Sequence, residues 1–109
     1  MSPTAHVAVL LFRATSDEPG FAPLYEERFH LLLAQSLEEA SQKAEALRLK
    51  PPHSYQNADG FTVTWQCLQV VDVAELVGTE LTDGAELYGR YFRDVDAYER
   101  FEPHLKGQA

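Results

Sequence analysis

Hydrophobic and polar positions lay this chain out as a series of strands interrupted by one long helical pattern. Val7 to Phe12 is apolar on both faces, as expected of a central strand. From Leu24 to Ala34, Tyr25, Phe29, Leu31 and Leu33 share one face of a period-two pattern and Glu26, Arg28 and His30 share the other. The first set reads as the buried face. Thr15 to Pro23, with two prolines and a glycine, reads as the loop between these strands.

Ser36 then matches a helix N-cap, and Glu39 three residues on completes a capping box for the free amides of the first turn. Leu37, Ala40, Ala44 and Leu47 follow at helical spacing, a narrow stripe whose alanines suit close approach to a sheet. Glu39 and Lys43 have the favourable four-residue spacing of an ion pair. Lys50-Pro51-Pro52 stops the helix, because a residue before proline avoids helical angles and proline donates no hydrogen bond.

Beyond it, Ser54 to Asn57 reads as a short strand turned by Ala58-Asp59-Gly60 into a long one, where Phe61, Val63, Trp65 and Cys67 alternate with Thr62, Thr64 and Gln66. The alternation slips between Leu68 and Val73, which predicts a bulge or a crossing to a second contact surface. A short helical turn near Val73 to Leu76, a turn at Asp83-Gly84 and a last strand from Ala85 to Phe92 complete the sheet pattern. Asp94 caps a short helix carrying Val95, Tyr98 and Phe101, ended by Pro103 before a frayed tail from Lys106 to Ala109.

The expected fold class is therefore α+β: a single antiparallel sheet of about five strands in the order β-β-α-β-β-β-α, with one main helix on one face. The 109 residues make one domain, with a core over 7–92 and a short helix and tail over 93–109.

Charge narrows the partners. At a formal −8 the chain lacks the basic surface that nucleic acids and anionic membranes require. Lys43, Arg48, Lys50 and His53 gather near the end of the long helix, where solvated cations complement its dipole. No apolar run approaches the roughly 20 residues that span a bilayer. Met1 to His6 lacks the positive charge of a signal peptide, so a cytoplasmic location is the default expectation.

The ordered fragments also carry a likeness. Glu26-Glu27, an apolar strand, Ala34-Gln35-Ser36-Leu37-Glu38-Glu39-Ala40 and Lys43-Ala44 are followed by Tyr55-Gln56-Asn57, Gly60, Val63-Thr64-Trp65 and Val71-Asp72-Val73 with Leu76. Leu81-Thr82-Asp83-Gly84-Ala85-Glu86-Leu87-Tyr88 closes the set. Over roughly Val7 to Phe92, a domain of ordinary size, the chain resembles the bacterial family catalogued as domain of unknown function 4288. That resemblance implies a small soluble α+β domain and carries over no assigned activity. The proline-bearing loop before Leu24 and the tail after Phe92 depart from the family pattern.

Chemistry-bearing residues are sparse. Glu27 sits between Tyr25 and Phe29 on the face read as buried, where it would pair with Tyr55, Trp65 or an arginine such as Arg90; a strand-end position that leaves it in water is the equal alternative. Glu86 alternates with Tyr88, Arg90 and Phe92. Were its strand beside that of Glu27, the two carboxylates could act as acid and base or hold a divalent cation. Glu27, Tyr55, Trp65, Glu86 and Arg90 thus form the candidate polar cluster. Tyr91, Phe92 and Arg93, aromatics flanked by arginine, form the candidate interface, the other reading being that they pack beneath the terminal helix through Tyr98 and Phe101.

Cys67 is the only cysteine and reads as a core residue. His6, His30, His53 and His104 show no metal-site spacing, and no phosphate loop or nucleophile elbow is present. The expectation is a non-enzymatic interaction module that self-associates, as a dimer, without cofactor or metal. The alternatives are an enzyme built on Glu27 and Glu86, and an acidic, inhibitor-like partner of a basic protein.

Overall fold

A computed structural model describes residues 2–77 and 80–102. Its elements are β1 (Thr4–Ser16), β2 (Leu24–Ala34), α1 (Leu37–Arg48), β3 (His53–Gln56), β4 (Thr62–Glu75) and α2 (Val95–Phe101). The expected Pro103 stop, His104 and the Lys106 to Ala109 tail lie outside the described residues.

The strands form one antiparallel sheet in the order β2-β1-β4-β3. β1 is central, which explains its apolar residues on both faces: Val7, Ala8, Val9 and Leu10 are all buried. The β3–β4 hairpin closes at Asn57, whose backbone carbonyl accepts from Gly60 N–H and whose Oδ1 accepts from the amides of Asp59 and Phe61. Gly60 there has φ +86°, an angle a side chain would oppose. The slip in β4 is a pair of irregularities. The register jumps between Val9/Leu10 and between Leu11/Phe12, leaving Val71 and Leu68 as the extra residues of the longer strand.

The expected helical turn near Val73 to Leu76 is absent, since β4 runs through it to Glu75. The sheet also has four strands, where the alternation predicted five. Residues 85–92 alternate in side-chain type but pair with no edge. Alternation gives a chain two distinct faces; a ladder also needs a free edge within hydrogen-bonding reach.

α1 begins as expected. Ser36 Oγ accepts from Glu39 N–H at 3.1 Å, and Lys43 pairs with Glu39 at 3.6 Å. Replacing Ser36 by alanine is expected to lower stability by about 1 kcal/mol, read as a lower urea midpoint at unchanged slope.

The face α1 covers reverses the expectation for β2. Ala40 and Ala44 pack on Ala8, Leu10, Leu32, Ala34 and Cys67, the even-numbered side of β1 and β2. Tyr25, Phe29, Leu31 and Leu33 point to the other side and are each more than half exposed. Volume decides this. Only two residues separate β2 from α1, so the helix folds back where Ala34 and Ala8 leave room for its alanines, and bulky leucines would hold it off. Among the described residues no helix is long and apolar enough to cross a membrane.

Candidate functional site

The uncovered face is where the chain after β4 returns. On it, register places Val9 between Phe29 of β2 and Asp72 of β4. Tyr88 reaches both neighbours: its ring meets Phe29 with centroids 5.9 Å apart, and its hydroxyl donates to Asp72 Oδ2. It therefore bridges the two strands that flank β1 over Val9, which has no exposed surface. Asp72 Oδ1 accepts from the amide of Val73 as well, so its carboxylate is oriented.

Removal from water, then the hydrogen bond to Asp72 and the charge of Asp72, push the Tyr88 phenol up to about 12. The folded chain thus holds this proton more tightly than the unfolded one. The associated stability is complete below pH 10 and is lost as pH rises towards 12. The Tyr88 ring-carbon NMR signal should titrate above the pH of a free phenol, towards 12, and Tyr88→Phe should flatten the loss of stability across that window.

Past Tyr88 the chain leaves the sheet as an arm. Arg90 reaches back to Glu27 at 3.4 Å, so the odd carboxylate of β2 is answered by an arginine outside the sheet. Both side chains are more than a third exposed, and such a pair contributes little stability. Tyr91 is fully exposed, and Phe92 stacks on Tyr98 with parallel rings 4.9 Å apart. Asp94 caps α2 by accepting from Ala97 N–H, yet α2 packs on no strand and on no part of α1. A recess of about 690 Å³ separates it from Glu27 and Phe29 of β2, walled on the arm side by Tyr91, Phe92, Arg93 and Phe101.

The residues singled out from sequence divide between the two faces. Glu27, Arg90, Tyr91, Phe92 and Arg93 meet at this recess. Glu86 precedes the Tyr88 anchor and does not line the recess. Tyr55 and Trp65 are on the α1 side of the sheet, since Tyr55 pairs with Val63, and Trp65 with Ala14 and His53. Strand-by-strand alternation could not relate the phases of β2 and β4, so it grouped Glu27 and Trp65 that the sheet separates.

Three features were missed from sequence. Asp72 anchors Tyr88; His6 is buried, with its ring nitrogen 3.1 Å from the Thr4 carbonyl; and the Arg13 Nε on the open face is buried without a hydrogen-bond partner among the described residues. Among the described residues, no three histidine, cysteine or acidic side chains gather as a metal-ligating group.

The family described as Domain of unknown function (DUF4288) matches residues 5–89. The chain belongs to that family. No curated protein and no solved structure matches it. The DUF4288 match takes in the sheet from Ala5 onward, α1 and the Tyr88 anchor, and stops at the point where the arm leaves the body.

Proposed function

We propose that the protein is an interaction module that acts as a homodimer, each copy laying its arm and open sheet face against those of the other. The observation that carries this reading is the uncovered face of β2, where Tyr25, Phe29, Leu31 and Leu33 remain 51–63% exposed beside an arm that exposes Tyr91, Phe92 and Phe101 and whose helix packs on no other element.

The surface area supports it. A folded monomer of 12.3 kDa has about 6,100 Å² of accessible surface. This chain has 8361 Å². The excess of roughly 2,200 Å² is more than twice the ~800 Å² that each partner buries in a stable complex. The radius of gyration is 17.2 Å, where a compact chain of this length gives about 13 Å.

A second copy is the occupant that fits. Face and arm are complementary apolar surfaces on the same chain, which is what a two-fold interface requires. The arm's three arginines nearly balance its four carboxylates, so the net charge of −8 is concentrated elsewhere. Repulsion between whole copies should still make association tighter as salt is added.

Mixing isotope-labelled with unlabelled chains tests the contact. Intermolecular NOEs should join the aromatic protons of Tyr91 or Phe101 to the methyl groups of Leu31 or Leu33. A dimer that forms without such contacts would overturn this arrangement.

A further inference from the structure

α1 covers only one end of the face it packs on. Its buried alanines lie over Ala8, Leu10, Leu32 and Ala34. On the same face His30 and Arg28 of β2 flank Ala8 and Leu10, and Phe12 and Trp65 extend the surface past Leu10. There the chain turns through Lys50 and Pro51 into β3, leaving a recess of about 310 Å³ between the helix end and the sheet. That size lies at the small end of ligand pockets.

The lining is unusual for an acidic protein. Arg28, His30, Lys50 and His53 all border the recess and no carboxylate does, while Leu47, Pro51 and the aromatic rings supply apolar walls. Among the described residues, Lys50, His30 and His53 make no ion pair.

Arg28 is the organised element. Its guanidinium carbon sits 3.8 Å from the Phe12 ring centroid and 5.1 Å from that of Trp65, so the planar group is held against two aromatic rings. Glu26 takes its Nε–H. The two terminal nitrogens have no hydrogen-bond partner among the described residues, and the side chain is 36% exposed. A guanidinium fixed in plane and anchored through Nε retains a two-pronged donor edge, matched to the paired oxygens of a phosphate or carboxylate. Lysine, with a point charge on a flexible stem, could not present that edge.

The geometry points to a binding site for a small oxyanion-bearing molecule: Arg28 grips the phosphate or carboxylate group, Lys50 adds charge, and the apolar walls take an organic body. The site is independent of self-association, because it opens on the opposite face of the sheet and every residue of it lies inside the family match.

Trp65 is the only tryptophan, so its fluorescence reports on this recess alone. The experiment titrates the intact protein with inorganic phosphate, phenyl phosphate and benzoate, with sodium chloride matched for ionic strength as control. A saturable change is expected with at least one of the oxyanions, and phenyl phosphate should bind several-fold tighter than inorganic phosphate. Response to the phosphates alone assigns a phosphate ligand, and response to benzoate alone a carboxylate; both support the site.

Arg28→Lys should weaken binding at least about tenfold, the loss of a charge-assisted hydrogen bond. Lys50→Gln, in an exposed turn where folding is not at stake, should weaken it several-fold. A response equal to that of chloride overturns the proposal, as does binding that both variants leave unchanged.

Discussion

Leu10→Ala is expected to destabilise the protein by about 2–5 kcal/mol, the range for truncating a fully buried leucine. Leu10 has no exposed surface, sits in the central strand opposite Arg28 and Val70, and belongs to the cluster under α1. The cost combines lost transfer energy with a cavity that two flanking strands and a close-packed helix prevent from collapsing. In a domain whose whole stability is about 5–15 kcal/mol, that loss would shift the urea midpoint far to the left.

Leu31→Ala on the open face, measured where the chain is monomeric, should cost less than about 1 kcal/mol, because its side chain is 63% exposed. The contrast tests which face is the core. Equal losses at the two positions would mean that the open face is covered in the isolated chain.

Leu31→Glu has the second large expected effect, on association. In the monomer the new carboxylate is solvated and folding is spared. In the dimer it would be buried without a partner, which costs about 2–5 kcal/mol and weakens the dimer on the order of 30-fold or more. Leu49→Glu is the matched control. Leu49 is as exposed as Leu31, at 64%, but caps the C-terminal end of α1, away from the open face. A Leu49→Glu chain should dimerise as the unmodified chain does.

The elements with local causes were legible in the sequence. Ser36 with Glu39, the Ala58-Asp59-Gly60 turn, and Asp94 before α2 each act within a few residues of chain, so their types and spacing announced them. The neighbouring apolar Val70 and Val71 betrayed the bulged stretch of β4 for the same reason. The face of β2 was misread because hydrophobic weight was taken as the sign of burial. Leu31, Leu32 and Leu33 supply apolar residues to both faces, and the choice fell to the small side chains of Ala8, Ala34, Ala40 and Ala44.

Residues 85–92 were read as a fifth strand for want of a partner-edge signal. Of the candidate site, Glu27 declared itself by breaking its pattern, and Arg90 was among the partners named for it. Arg28 and His30 did not stand out. They occupy the strand face read as solvated, which the fold turns towards the helix side and leaves open just past the end of α1.

Sedimentation equilibrium over a concentration series, on the unmodified chain beside Leu31→Glu, decides whether the open face pairs two copies. A mass of twice 12.3 kDa is expected for the unmodified chain, and 12.3 kDa for Leu31→Glu until concentrations are raised on the order of 30-fold or more. A mass of 12.3 kDa for the unmodified chain at the highest concentrations, or a dimer indifferent to Leu31→Glu, would contradict it.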